Sequence, residues 1–224
     1  MTDPQQKLTA AQVRDAGIED WRQILGRIKA RFRVGDFENG LALVNKIGEA
    51  AEAAGHHPDV TLTSTDVIVT LSSHDVRGIT KRDVDLAQQI SLHAAELGIR
   101  ADVAGLTQVE LGLNTTVGER LAPYYAALFG AEIVRGEPVD ASGQAPTVWW
   151  QNPAEIDEAF ALPEQQFEQR WHFDVWVPHD EAEHRLQAVL DAGGRLIGDA
   201  GAPAYWVVED ADGNRCCICT PFGR

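Results

Sequence analysis

Two adjacent histidines, His56 and His57, precede Pro58 in a chain that contains only seven histidines, and a third, His74, follows a segment with strand-like patterning. Adjacent histidines are poor core residues, because each buried imidazole needs a hydrogen-bond partner. Imidazole is the side chain that titrates near neutral pH, so such a group is suited to general acid–base chemistry. These residues therefore indicate a site of proton transfer.

The spacing of apolar residues predicts the elements around these histidines. A helix begins after Asp36, its N-cap, and ends at Gly55. Two alternating segments, "VTLTS" and "VIVTLSS", follow as strands, and another helix begins at Thr80. The first helix is expected to pack through Phe37, Leu41, Val44, Ile47 and Ala51. The second is expected to pack through Val84, Leu86, Ile90 and Leu97.

The segments before Asp36 complete a first domain, residues 1–100. A short helix capped by Thr9 is followed by a hairpin with Gly26 in its turn. The predicted fold class is α+β, with a four-stranded antiparallel sheet and three helices on one face. One face of the last strand carries Val67, Val69 and Leu71. The segment "GIRADVAGL", which comes next, is predicted to be a linker.

A different pattern occurs twice in a second domain, residues 105–224. The strand "LTQVELGLN" is followed by a helix and short strands, and the strand "WHFDVWVP" is followed by the same series. This predicts two strand–helix–strands halves that form a degenerate internal repeat.

Composition restricts the classes of partner. The formal net charge of −15 disfavours binding to nucleic acid or to an anionic membrane, so a small molecule or a protein partner is expected. No apolar run approaches the roughly 20 residues that span a bilayer, and the N-terminal segment lacks an apolar signal core. All three cysteines lie in "RCCICT", too close together to bridge one another. We therefore expect a reducing compartment and a cytoplasmic protein.

The first half resembles the pterin-4a-carbinolamine dehydratases over roughly Leu8 to Leu97. The resemblance rests on Trp21, on "DFENGLALVNKIGEAAEAAGHHPDV" and on "VTLSSHDVRGITKRDVDLAQQI". Within these motifs, the glutamate, the histidine pair, the third histidine and the aspartate follow the spacing of the family.

This resemblance implies that the protein dehydrates 4a-hydroxytetrahydropterin to the quinonoid dihydropterin, in support of tetrahydropterin recycling, without a metal or other cofactor. The departing hydroxyl must be protonated while a ring-nitrogen proton leaves, and imidazoles can serve both transfers. The catalytic residues that the resemblance implies are His56, His57, His74 and Asp83. The substrate-binding residues that we assign with them are Glu52, Pro58 and Ser73.

Several of these residues also fit structural roles. Asp83 forms a capping box with Thr80, a role that can coexist with one in the pocket. Glu52 is equally well explained as a solvated helix charge. The family often has aromatic residues where this chain has Val60 and Ser64, which bears on pterin stacking. An alternative hypothesis is therefore a non-catalytic pterin-binding or regulatory protein.

The second half resembles the glyoxalase/bleomycin-resistance (vicinal oxygen chelate) superfamily, which is built from paired βαβββ units. The resemblance rests on "YYAALFGAEIV", "HFDVWV" and "YWVVEDADGNRCCIC". Because this fold hosts unrelated activities, we expect a ligand-binding or assembly module. Both families tend to self-associate, so a homo-oligomer, either a dimer or a tetramer, is expected.

A metal site of that superfamily needs a histidine or glutamine on each opening strand and a glutamate on each closing strand. Gln108 and His172 are the weak candidates on the opening strands, whereas tryptophans and Cys217 stand where the carboxylates are expected. We therefore predict no metal site, and the tryptophans of this half are expected mainly to pack. The alternative is a metal-dependent lyase or dioxygenase activity in the second domain.

Overall fold

The computed structural model describes residues 5–143, 145–165 and 167–223. Residues 1–4, part of the segment predicted to lack a signal core, lie outside this range. The chain divides between Leu106 and Thr107 into two compact units, called here the N-terminal and the C-terminal unit. Within the described residues, no helix combines the length and the apolar character that a membrane crossing requires.

The N-terminal unit is an antiparallel sheet with three helices. In chain order, its elements are α1 (Ala10–Arg14), β1 (Arg22–Ile24), β2 (Arg27–Arg33), α2 (Phe37–Ala54), β3 (Asp59–Leu62), β4 (Asp66–Leu71), α3 (Lys81–Glu96) and β5 (Arg100–Ala101). The strand order is β1-β2-β4-β3, and the fifth strand, β5, also pairs with β2.

The helix ends match the predicted caps. Thr9 and Thr80 each form a capping box, and the side chain of Asp36 accepts a hydrogen bond from a backbone N–H of α2. Gly55 ends α2 in the left-handed conformation, with φ of 59°. These predictions are confirmed.

The segment predicted to be a linker contains the strand β5, so that prediction is corrected. This strand pairs with Phe32 and Arg33 of β2, along the part of that edge that β1 leaves open. The backbone N–H of Asp102 continues the contact by donating to the carbonyl of Arg31 at 2.7 Å. A two-residue strand is too short to show alternation in sequence, but it satisfies backbone groups that would otherwise be unpaired.

The core of the N-terminal unit lies between the sheet and the helices, and Val67, Val69 and Leu71 are fully buried there as predicted. The stripe predicted for α2 is wrong at its start, because Phe37 is 55% exposed and Leu41 is 45% exposed. Leu97, predicted to pack, follows the end of α3 and is also exposed. The residues of α2 that are buried are Gly40, Leu43, Ile47, Ala50 and Ala51.

Gly40 explains this rotation of the buried face of α2. A Cβ atom at Gly40 would lie 2.5 Å from Cδ1 of Leu62, so the helix approaches β3 closely at a residue without a side chain. A pattern based on apolar side chains cannot identify a contact that depends on a missing side chain.

The C-terminal unit contains the two predicted strand–helix–strands halves. The first half comprises β6 (Gln108–Asn114), α4 (Gly118–Phe129), β7 (Glu132–Val134), β8 (Glu137–Val139) and β9 (Thr147–Gln151). The second half comprises β10 (Trp171–Trp176), α5 (Ala182–Asp191), β11 (Arg195–Gly198), β12 (Tyr205–Glu209) and β13 (Arg215–Cys219). The two opening strands, β6 and β10, pair antiparallel within a six-stranded sheet of order β11-β12-β13-β10-β6-β9. Each opening strand also pairs in parallel with the closing strand of its own half.

Candidate active site

The centre of the histidine site is the carboxylate of Asp83, which is fully buried in the first turn of α3. Its Oδ1 lies 2.7 Å from Nε2 of His56. Its Oδ2 accepts hydrogen bonds from the Ser73 hydroxyl at 2.8 Å and from the Thr80 backbone N–H at 2.7 Å. A carboxylate without solvent exposure requires such a set of hydrogen-bond donors, because an unpaired charge in the core is strongly unfavourable.

This network joins three separate parts of the chain. His56 lies in the loop after α2, Ser73 follows β4, and Asp83 belongs to α3. His56 is followed in sequence by the exposed His57, and Ser73 is followed by the exposed His74. The Asp83 carboxylate therefore fixes the backbone on which both exposed imidazoles are carried.

The His57 side chain is 64% exposed, and its Nε2 lies 3.1 Å from Oε1 of Glu52. Glu52 is itself 81% exposed and belongs to the last turns of α2. At this exposure the contact contributes little to stability, but it restrains the orientation of the ring. Glu52 is thus a partner of His57, and its role in substrate binding stays a prediction.

The His74 imidazole is exposed, and it has no hydrogen-bond or ion-pair partner within the described part of the chain. Its backbone carbonyl accepts from Arg77 in a tight turn that is closed by the bridge between Ser73 and Gly78. Next to it, the guanidinium of Arg82 donates to Asp75 at 2.7 Å and holds the pKa of that carboxyl below its usual value. The turn is therefore ordered while the imidazole is accessible.

Other predicted site residues differ in accessibility. Ser73, expected to bind substrate, is 1% exposed, and its hydroxyl is engaged by Asp83 and Thr80, so this expectation is corrected. Pro58 is half-buried. Val60 and Ser64 are both exposed.

Sequence analysis assigned Thr80 only to a cap, although its hydroxyl and N–H both belong to the Asp83 network. The capping box was the signal that could have identified this second role.

The C-terminal unit contains a cavity of about 560 Å³. Of the tryptophans in this half, Trp149 lines this cavity, whereas Trp176 is buried and donates to Glu110, and Trp150 donates to the carbonyl of Gly136. The prediction that most of these tryptophans pack is thus supported for Trp150 and Trp176. The polar and thiol groups at the cavity include His172, Asp174, Cys217 and Cys219.

The register of the two opening strands corrects the predicted pairing of Gln108 with His172. His172 lies opposite Gly112, whereas Gln108 lies opposite Trp176. Four residues of strand separate the two positions, a distance of about 13 Å along the sheet. Gln108 and His172 therefore do not converge on one site.

Different groups surround His172. Its Nε2 lies 3.7 Å from Oδ1 of Asp174, the next residue on the same face of β10. Cys217 is the register partner of Asp174 on β13. One donor atom from each of these three residues lies within 4.8 Å of the other two. Sequence analysis missed Asp174, although the alternation of β10 could have placed it beside His172.

The ring of His172 occupies space that a glycine provides. A Cβ atom on Gly112 would lie 2.4 Å from Cε1 of His172, so only glycine permits this position of the imidazole. The ring of Trp149 stands edge-on to it with centroids 5.5 Å apart, and the buried Nε1 of Trp149 has no hydrogen-bond partner among the described residues. The imidazole is therefore held in place from two sides.

Burial governs the ionisation of these groups. It lowers the pKa of His172, an effect that the nearby Asp174 opposes. A hydrogen bond with Cys219, burial and the charge of Asp174 together raise the pKa of Cys217 well above its usual value. The surroundings thus disfavour the imidazolium form of His172 and the thiolate form of Cys217. Imidazole, carboxylate and sulfur donors are the set that zinc-class ions take in proteins, so the residues present fit such an ion.

Comparison with known families gives two matches. Residues 5–92 match the model described as pterin 4 alpha carbinolamine dehydratase. Residues 110–219 match the model described as a glyoxalase-like domain.

Relatives and a solved structure match the first of these regions. A protein of Thermosynechococcus vestitus, provisionally named a pterin-4-alpha-carbinolamine dehydratase, is 43% identical over 76 residues, which are 34% of this chain and 80% of that protein. A protein of Nocardia farcinica with the same provisional name is 42% identical over 73 residues, which are 33% and 77% of the two chains. The crystal structure of a transcriptional coactivator/pterin dehydratase from Brucella melitensis aligns at 25% identity and a TM-score of 0.39, covering 40% of this chain and 99% of its own.

Proposed function

This chain belongs to the pterin-4a-carbinolamine dehydratase family through its N-terminal unit, and we propose that this unit removes water from a 4a-hydroxytetrahydropterin. The product is the quinonoid dihydropterin, which is a substrate for tetrahydropterin recycling. The observation that carries this proposal is the buried Asp83 network, because it fixes the residues next to both exposed imidazoles, His57 and His74.

The proposed chemistry is a proton exchange at the pterin ring. The bond between the 4a carbon and its hydroxyl breaks as an imidazolium donates a proton, and the hydroxyl leaves as water. A neutral imidazole accepts the proton that a ring nitrogen loses. His57 and His74 are the groups assigned to these two transfers, because their side chains are exposed and an imidazole can both donate and accept a proton.

Within this proposal, the buried residues position the exposed ones. Asp83 is fully buried and His56 is 9% exposed. Nε2 of His56 and both carboxylate oxygens of Asp83 are engaged within the buried network. We therefore assign Asp83 and His56 as positioning residues, a narrower role than the catalytic one first predicted. Glu52 restrains the His57 ring and contributes a carboxylate at the edge of the site.

The non-aromatic residues Val60 and Ser64, both exposed, support a second candidate function. Neither residue offers an aromatic surface on which a pterin could stack, so affinity for the ring rests on polar contacts. In this alternative the N-terminal unit binds a pterin without turning it over, and the protein has a regulatory role. Binding with no acceleration of dehydration is the result that would favour it.

Turnover by the full chain tests the proposed function. We expect the purified protein to accelerate dehydration of 4a-hydroxytetrahydropterin above the spontaneous rate, as measured by absorbance in stopped flow. His74→Ala is expected to lower the rate by roughly 10-fold or more, because it removes a proton-transfer group without disturbing a bonded partner. Wild-type protein that does not exceed the background rate would refute the proposal.

We also propose that the protein is a homo-oligomer in which α2 contacts a second copy. Phe37 and Leu41 lie four residues apart on one side of this helix and are both exposed, which is unfavourable in a monomer. The double substitution Phe37→Ser, Leu41→Ser is expected to lower the mass measured by light scattering after gel filtration. Glu38→Ala, an exposed change on the same turn, should leave it unchanged. A monomeric mass for the wild-type protein would contradict this proposal.

A further inference from the structure

We infer that the C-terminal unit binds one divalent ion of the zinc class on His172, Asp174 and Cys217. These residues come from the opening and closing strands of one half of the unit, and their donor atoms form a single group within 4.8 Å. The inference is independent of the dehydratase activity proposed for the N-terminal unit.

Strand geometry brings the three donors together. Alternation puts His172 and Asp174 on the same face of β10, and the parallel register puts Cys217 directly beside Asp174. Ligand atoms around a tetrahedral zinc ion are about 3.4–3.6 Å apart, given metal–ligand bonds of about 2.0–2.3 Å. The 3.7 Å between Nε2 of His172 and Oδ1 of Asp174 is close to this separation, and Sγ of Cys217 lies within 4.8 Å of a donor atom of each.

The charges and the chemical hardness of the three donors also suit a divalent ion of the zinc class. A carboxylate and a thiolate together neutralise a divalent cation, and the imidazole adds a neutral donor. A glutamate was expected on the closing strand, where this chain has Cys217. In the inferred site, Asp174 of the opening strand supplies the carboxylate instead. The ion would be held within one half of the unit, without Gln108.

Access to the ion is provided by the cavity. All three donor residues line it, and three protein donors leave a coordination position for water or a substrate oxygen. An ion bound there supplies Lewis acidity toward such an oxygen. The remaining lining includes Trp149, Phe160 and Tyr205, which suits a small organic molecule that combines an oxygen donor with an apolar or aromatic body.

Metal analysis of the full chain tests this inference. The protein is produced in medium with added zinc and purified under reducing conditions without chelator or polyhistidine tag. We expect one zinc ion per chain by plasma mass spectrometry. After exchange with cobalt, we expect a thiolate-to-cobalt charge-transfer band in the near ultraviolet. Cys217→Ser should abolish that band, and Cys217→Ser, Asp174→Asn and His172→Gln should each raise the dissociation constant for zinc by about 100-fold or more.

Two matched variants serve as controls. Cys216→Ser removes a neighbouring thiol that packs against the cluster formed by Val177, Ala182, Val208 and Ile218, and it should retain the band. Gln108→Ala removes the ligand suggested by sequence and should also retain zinc. Circular dichroism and thermal melting of each variant separate metal loss from unfolding.

Three outcomes would overturn the inference. The first is a wild-type chain that carries no stoichiometric metal and gives no cobalt band. The second is zinc that survives substitution of all three donors while the variants are folded. The third is zinc that is lost in His57→Ala but kept in Cys217→Ser, which would locate the ion in the N-terminal unit.

Discussion

Replacing His57 with alanine is expected to lower the rate constant for dehydration by roughly 10- to 1000-fold, the range of a single general acid–base group. The side chain is 64% exposed and, among the residues that the structure describes, is bonded only to the exposed Glu52, so its removal leaves no buried group there unpaired. Stability should therefore change little while turnover falls. Stopped-flow measurement of kcat and KM, together with the melting temperature, checks both parts.

His93→Ala is the matched control for this experiment. His93 lies on α3, pairs with Glu96 and is outside the Asp83 network, so its loss should leave kcat unchanged. Added imidazole should restore part of the activity of the His57 variant, because a free base can enter an exposed site. A His57→Ala enzyme with wild-type kcat would contradict the assigned role, even if the full chain proved to be a dehydratase.

Replacing Asp83 with alanine is expected to reduce the free energy of unfolding by about 3–5 kcal/mol, the cost of removing one member of a buried polar pair. The substitution leaves the hydroxyl of Ser73, the N–H of Thr80 and Nε2 of His56 without their acceptor in the core. Denaturation in urea, followed by circular dichroism, measures this loss.

Two further substitutions separate the Asp83 network from general helix effects. Asp85→Ala removes an exposed carboxylate on the same helix that pairs with Lys81, and it should cost about 0.5 kcal/mol or less. Asp83→Asn keeps one oxygen but places an amide group against existing donors, so an intermediate loss is expected. Equal stability of the Asp83 and Asp85 variants would show that the buried network does not position the site.

Short-range features of the fold could be predicted from sequence. Thr9, Asp36 and Thr80 cap their helices, and Gly55 ends α2, because a cap is made with backbone groups two to four residues away. The alternation in β4 likewise determined which of its side chains are buried. The histidine motif located the candidate site, since its residue types are unsuited to a core.

Features that depend on how distant elements approach one another could not be predicted in the same way. The close approach of Gly40 to Leu62 turned Phe37 and Leu41 outward. The antiparallel register placed His172 opposite Gly112 instead of Gln108. The same sheet brought Cys217, more than forty residues away in the chain, beside Asp174.

The sequence by itself therefore determined the helix limits, the alternating strands and the histidine motif of this protein. Only the tertiary structure decided which histidines are exposed, which residue serves as their common anchor and which donors surround His172. The physical reason is the separation along the chain between the residues that determine each feature. Caps and alternation depend on residues adjacent along the chain, whereas register and burial depend on the packing of segments that meet only when the sheets assemble.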